Sequence, residues 1–466
     1  MKIKTGPGQL FVRLKKWYTP LVTKIKQVWY EIIRWDYAGL SLLILIIFAL
    51  HLATIMHPAS PVFDEQYYVP AANSILHGQG TDRIEHPPLA QLTIAAGIFL
   101  LGDNPFGWRF FSILFGIAGL ILFYLICLRL GLSKRYAFLA TFLLAFENLS
   151  FIQSSLAMLD VYSLTFMLAS FWFYLKATAK PLLGFGGTGK TENRPLTLTF
   201  FRKGRVDGSR YVASGILAGL AALAKLTGAL VLPIIILHWL LTNRKDLKRL
   251  LALMIAAVAV FFLMMPLLEF VIWHKWLNPL TQIRFMLKAN ALATFGASPS
   301  EMLSRPWEWL LKPEILTYWI EPHHLAMISP PVWAMTIPVI AFTFYRAYKN
   351  DPAARFAAIW FVGAYLIWIP ASLVSDRISY IYYFYPSVGA VCIALTLVAE
   401  KIETSSQKVT RNKKWLESVV PAYILLCLGA FVILSPISYW WKAPLSVMAY
   451  VFSRYYLSAA SPIREG

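Results

Sequence analysis

Tyr37 to Met56, reading YAGLSLLILIIFALHLATIM, contains no acidic or basic residue apart from His51. Its length matches the roughly 20 residues that cross the hydrocarbon layer of a bilayer. The run exceeds a signal-peptide core and no small-residue cleavage site follows it, so it reads as a retained first span. The whole chain agrees with that reading. Of its 466 residues, 58% are hydrophobic and 14% are charged, and the mean hydropathy is +0.59. A water-soluble fold has no core large enough to hide that much apolar surface.

A formal charge of +20 does not indicate nucleic acid, because the bases fall in short stretches between apolar segments rather than on one soluble face. Their spacing reads as topology. Lys2, Lys4, Arg13, Lys15, Lys16, Lys24, Lys26 and Arg34 precede the first span and place the N-terminus in the cytosol. The loop after Met56 is then outside. It holds Asp64, Glu65, Asp82, Glu85 and Asp103, and two apolar stretches, Gln66 to Leu76 and Leu89 to Leu101, too short or interrupted to span and suited to surface helices.

The remaining spans follow by alternation. Pro105 to Leu130 returns to a cytosolic turn at Lys134-Arg135, a third span climbs to Glu147, and Ala157 to Leu175 comes back. The basic loops 176–210 and 244–249 flank an apolar stretch, Tyr211 to Leu241, that fits two short helices meeting near Lys225 and Gly228. The expected organisation is a basic cytosolic segment 1–36, a transmembrane catalytic domain 37–436 with outer loops 57–104 and 274–327 and a cytosolic loop 176–210, and an extracytosolic tail 437–466. The fold class is all-α and polytopic, with about 11 transmembrane helices and two surface helices in the first outer loop. Cys127, Cys392 and Cys427 lie inside apolar runs and read as buried thiols.

Gly184 to Thr191, GFGGTGKT, satisfies the phosphate-loop pattern. Its context does not. That motif needs a buried strand before it and a helix after it, whereas here a membrane helix precedes it and Asn193-Arg194-Pro195 follows. It reads as a cytosolic loop leading into a short hairpin around LTLTFFRKG and RVDGSR.

Ionisable groups at the ends of spans are the informative ones, since burial at the bilayer centre costs roughly 2.5–3.5 kcal/mol on insertion scales. On this topology Asp64, Glu65, His86, Arg109, Asp160, Lys225 and Arg377 all fall on the outer side. Any one of them alone reads as an interfacial charge; their gathering on one side argues for a site. Carboxylates beside Arg and Lys suit a substrate with an anionic phosphate and an acceptor that loses a proton. Adjacent carboxylates push each other's pKa values apart, which lets one act as base while the other supports. No His or Asp cluster has metal-ligand spacing, so metal dependence is not legible from the sequence.

At these residues the sequence resembles the protein O-mannosyltransferases, polytopic glycosyltransferases of the GT-C type. The pieces that carry the resemblance are Phe63-Asp64-Glu65 with Tyr67-Tyr68, Glu85-His86-Pro87-Pro88-Leu89, Phe106-Gly107-Trp108-Arg109-Phe110 and Leu156-Ala157-Met158-Leu159-Asp160, in that order. Gly219 to Gly228, Ser304-Arg305-Pro306-Trp307-Glu308-Trp309 and Tyr382-Tyr383-Phe384-Tyr385-Pro386 continue it. Two departures stand out. Gln153-Ser154-Ser155 occupies the place of a short arginine-containing motif, and the outer loop is too short for the carbohydrate-binding-like insert of eukaryotic enzymes, which points to a bacterial or archaeal member.

The resemblance implies inverting transfer of mannose from a polyprenyl or dolichyl phosphate to Ser or Thr hydroxyls of a protein acceptor on the outer face of the cell membrane. It implies Asp64 as base with Glu65 assisting, Arg109 and Lys225 on the lipid phosphate, and Asp160, Arg377 and His86 as further substrate contacts. No cofactor beyond the lipid-linked donor is expected, and the partners are donor, acceptor protein and membrane lipid. A GT-C enzyme that modifies lipid, of the aminoarabinose-transferring type, needs the same acidic loop and phosphate grip. A transporter is a further alternative, although it calls for charge at the midplane and both mouths.

Overall fold

The computed structural model describes residues 37–178, 208–242, 247–297, 302–320, 323–406 and 413–438. The basic N-terminal segment, the phosphate-loop pattern, most of the expected hairpin after it and the tail beyond 438 lie outside the described residues. Among the described residues, 37–49, which hold the first turns of helix α1 (Ala38–Thr54), belong to one unit. The second unit, from Leu50 onward, holds everything discussed below.

Two helices occupy the first loop, α2 (Glu65–Leu76) and α3 (Pro88–Leu101), as the apolar stretches there lead one to expect. Pro70 sits inside α2 without ending it. Proline removes one N–H and crowds the carbonyl four residues back, and Gln66 is the residue at that position, in the first turn. Behind this loop stand α4 (Pro105–Arg129), α5 (Lys134–Ala145), α6 (Asn148–Ser155) and α7 (Leu159–Thr178). Tyr68, Val69 and Ala72 of α2, Ala90, Ile94 and Ile98 of α3, Trp108 of α4 and Tyr162 of α7 share one core cluster. That cluster fixes the loop helices on the bundle rather than leaving them at large.

The third expected span is bent by 62° between α5 and α6. Glu147 explains the break, because its carboxylate accepts from Ser150 N at 3.0 Å, Ser329 N at 2.8 Å and Ser329 Oγ at 2.9 Å. It caps α6 while reaching a distant segment. A second break lies at Lys225, between α8 (Gly208–Ala224) and a 3-10 turn (Leu226–Leu230) that leads into α9 (Val231–Thr242). Lys225 is extended, at φ −156 and ψ 137. Gly228 allows the return: a Cβ there would overlap the Ala221 carbonyl and the Ser163 hydroxyl.

α10 (Leu247–Trp273) packs along α8, and α11 (Pro279–Leu292) follows it. A short α12 (Glu308–Leu311) follows, and beyond it a small two-stranded addition joins the helical bundle. Leu316–Trp319 and His324–Ala326 pair as antiparallel strands β1 and β2. The alternating burial of Leu-Thr-Tyr-Trp is the strand period that the apolar count alone concealed. α13 (Pro330–Tyr348), α14 (Pro352–Phe361), a π turn (Val362–Leu366), α15 (Trp368–Ser375), a 3-10 turn (Ile381–Phe384), α16 (Tyr385–Ser406) and α17 (Lys413–Leu434) complete the bundle.

Five of the described helices are long and apolar enough to cross a membrane, or up to six if the bent pair is one span. The other expected crossings fall on α1, α7, α8, α9 and α13. The breaks at Glu147 and Lys225 shorten individual helices, and they do so where the chain turns around the first loop.

Candidate active site

Arg109 projects from the first turn of α4, whose start is set by Asn104: its Oδ1 accepts from Phe106 N at 3.0 Å and Gly107 N at 3.2 Å. The guanidinium is 1% exposed. Nε and Nη2 donate to the two oxygens of Glu65 at 2.9 and 2.7 Å. Nη1 donates to the carbonyls of Ile55 and Pro58 at 2.9 and 2.8 Å, and Nη2 to that of Ser60 at 3.3 Å. All five N–H groups of the side chain therefore face protein acceptors. Arg109 has none left for a substrate phosphate, which departs from the expected role.

Glu65 is as fully engaged. Besides Arg109 it accepts from Val62 N at 3.2 Å and from Ala157 N, just before α7, at 2.8 Å. This fully buried pair stitches residues 55–65 to the starts of α4 and α7. Removing one partner of such a pair costs about 3–5 kcal/mol, because the other charge is left buried alone.

Asp64 points elsewhere. It occupies the N-cap position of α2, where aspartate usually bonds the helix's free N–H groups, yet its side chain makes no cap hydrogen bond. The half-buried carboxylate lies beside the Tyr382 hydroxyl and within the field of Lys225, Asp160 and Glu85. Burial pushes its pKa up to about 7, against the opposing pull of Lys225.

Lys225 and Asp160 form a second ion pair, with Nζ at 2.8 Å from both carboxylate oxygens. Asp160 stands in the first turn of α7, where a negative charge meets the positive end of the helix dipole. The ammonium also lies 5.1 Å from the Tyr382 ring centroid and 5.4 Å from that of Tyr383. Broken backbone at 225 thus delivers a cation from the middle of a chain segment to the carboxylates of two others.

His86 is half-buried, edge-on to Tyr68 at 6.0 Å. Burial, with Lys225, Arg377 and Arg83 as cationic neighbours, pushes its pKa down to about 3, so it is neutral at pH 7. Arg377 donates from Nη2 to Asn290 Oδ1 at 2.5 Å, and Asn290 Nδ2 donates in turn to the Glu85 carbonyl at 3.2 Å. The Arg377 Nε is buried without a hydrogen-bond partner. Asp64, Asp160 and Lys225 thus form one cluster, His86 and Arg377 border it, and Glu65 with Arg109 forms a separate layer behind the loop.

Several participants were given no role from sequence. Tyr382 faces Asp64, and Phe63 stacks on Tyr318 with centroids 4.2 Å apart. Gln153, in the place of the arginine-containing motif, donates to the Tyr318 hydroxyl at 2.7 Å. The tyrosine run at 380–385 was the available signal for the first. Phe63 and Gln153 stand in quoted motifs, but nothing local marks their shared partner Tyr318. Among the described residues no group of three or more His, Cys, Asp or Glu side chains is placed to hold a metal ion.

The family model for dolichyl-phosphate-mannose-protein mannosyltransferase matches residues 99–283, which carry Arg109, Asp160 and Lys225. Over those residues the chain is similar to the protein O-mannosyltransferases. A polyprenol-phosphate-mannose–protein mannosyltransferase of Mycobacterium tuberculosis is 24% identical over 476 residues, spanning 86% of this chain and 88% of the relative. Its counterpart in Mycolicibacterium smegmatis is 33% identical over 128 residues, 26% of this chain; the match spans a quarter of that relative's length. Among solved structures, the S. cerevisiae protein O-mannosyltransferase Pmt1-Pmt2 complex bound to the sugar donor superposes with a TM-score of 0.66 at 12% identity, covering 86% of this chain and 90% of that one. The fold is accordingly of the GT-C type.

Proposed function

We propose that this chain transfers mannose from a polyprenyl or dolichyl phosphate to Ser or Thr hydroxyls of proteins on the outer face of the membrane, with Asp64 as the base. The observation that carries the reading is the Asp64 carboxylate, free of the helix cap and with a pKa raised to about 7. A base poised near the working pH is the most effective kind. The match to the mannosyltransferase family model and the relatives' names support the sugar, the lipid phosphate donor and the protein acceptor.

In the step itself the acceptor oxygen bonds to the sugar's anomeric carbon, the carbon–oxygen bond to phosphate breaks, and the electron pair leaves on the phosphate. Asp64 takes the hydroxyl proton. Phosphate is already a good leaving group, so no protein acid is required. Lys225 uses two N–H groups on Asp160, and we assign its third to the departing phosphate, with Asp160 holding the ammonium in place. Arg377 borders the donor side through its unpartnered Nε, and neutral His86 is available as a hydrogen-bonding group. Glu65 and Arg109 act by holding the loop that carries Asp64. The basic residues before the first span support a cytosolic N-terminus, which puts this site outside.

Purified protein in liposomes, given radiolabelled polyprenyl-phosphate-mannose and a Ser/Thr-rich polypeptide, tests the reading. Label is expected in the polypeptide, at hydroxyl residues. Label only in lipid, or none at all, overturns it.

A further inference from the structure

Phe63, immediately before Asp64, has φ 46, a left-handed conformation uncommon for an aromatic residue and easy only for glycine. A tight turn surrounds it, with Glu65 N bonded to the Val62 carbonyl at 2.9 Å and Gln66 N to the Phe63 carbonyl at 3.1 Å. The ring is held by residues far away in the chain. It stacks on Tyr318 of β1 at 4.2 Å and 18°, and meets Tyr382 and Tyr380 edge-on at 6.0 and 6.2 Å. Tyr318 is itself buried and anchored by Gln153 of α6. Tyr380 and Tyr382 stack on each other at 5.3 Å.

We propose that Phe63 is a positioning residue: its ring, clamped between β1 and the tyrosine run at 380–382, holds residue 63 left-handed and so aims the Asp64 carboxylate at the Tyr382 hydroxyl and the Lys225–Asp160 pair. The torsion at residue 63 sets the direction of the peptide entering Asp64. Tyr382 touches both the Phe63 ring and, through its hydroxyl, the Asp64 side chain, so ring and carboxylate are registered against one residue. On the other side Glu65 is locked by Arg109. Asp64 is thereby held from both neighbours, and strain of this kind persists only where surrounding packing over-determines it. The proposal rests on the reading of Asp64 as the base.

Glycine separates ring from turn. It adopts this φ without strain, so if the turn alone mattered, Phe63→Gly would be neutral. We expect instead that Phe63→Gly and Tyr318→Ala in the full chain lower kcat about 100-fold, within the range ascribed to a positioned base. The donor KM should stay within about threefold, because the lost interaction serves the reacting step rather than binding. Phe63→Tyr, which keeps the ring, should fall less than tenfold on the same scale. The second readout needs no donor: carbodiimide modification of Asp64, followed by mass spectrometry across pH, reports its protonation. Its midpoint should drop by more than about one pH unit in Phe63→Gly, towards the ordinary carboxylate range, as the group gains water. Wild-type kcat and an unmoved midpoint in a folded Phe63→Gly protein overturn the proposal. If wild-type protein transfers no mannose, the proposed function fails, while the labelling midpoint still decides the role of Phe63.

Discussion

Asp64 and Glu65 carry the same functional group on consecutive residues, and their surroundings are opposite. Glu65 is fully buried, with both oxygens bonded to Arg109 and to two backbone N–H groups. Asp64 is half-buried, faces a tyrosine hydroxyl, and has a raised pKa. The start of α2 between them produces the divergence, because successive side chains at a helix start point about 100° apart. A carboxylate whose every lone pair is committed to the fold is a structural part; one left with a single hydroxyl and a nearby cation is available to take a proton.

The comparison breaks most visibly in the reaction rate. Asp64→Asn should reduce mannose transfer by about 100- to 10,000-fold, the usual contribution of a positioned base, measured at saturating donor. Thermal melting of that variant in detergent should show it folded. The next largest effect falls on stability. Arg109→Ala leaves the Glu65 carboxylate buried without its partner, and should destabilise by about 3–5 kcal/mol, read by chemical or thermal unfolding; a variant as stable as wild type would show that the pair does not hold the loop.

Lys225→Ala probes the other ion pair. If its third N–H reaches the donor phosphate, the loss of a charged hydrogen bond, about 1.5–3 kcal/mol, should raise the donor KM by roughly 10- to 100-fold. An unchanged donor dependence would return Lys225 to a purely structural role with Asp160. The smallest effect sharpens the comparison by its sign. A carboxyl whose folded-state pKa is raised binds its proton more tightly folded than unfolded, so between pH 4 and about 7 stability falls as pH rises, and the penalty is complete above the folded pKa. Asp64→Asn removes that penalty and should raise the melting temperature at pH 8 more than at pH 5, whereas Glu65→Gln should lower it at both.

Much of the fold was legible because its causes are local in the chain. The apolar run at 37–56, the surface helices and the break near Lys225 all follow from span length, basic flanks and a glycine after a lysine. The small sheet was hidden because four residues of alternating burial and three buried ones are lost inside a long loop. The site was legible as a set of charges on one side, but not as two layers. Arg109 and Lys225 look alike in sequence, each a lone base at the edge of an apolar helix. Only the fold of residues 55–60 around the guanidinium shows that Arg109 is consumed by carbonyls. The aromatic support from Tyr318 and Tyr382 depends on contacts between segments hundreds of residues apart, which no periodicity reports.

The pH dependence of single-turnover mannose transfer, in wild type and Asp64→Asn, tests the account most directly. In wild type the logarithm of the rate should rise with unit slope at low pH and level off near pH 7, where Asp64 has lost its proton. In Asp64→Asn the residual rate should be low and should lack that limb. A wild-type rate that is flat from pH 5 to 8, or an Asp64→Asn protein that retains both rate and limb, would contradict the assignment of Asp64 as the base.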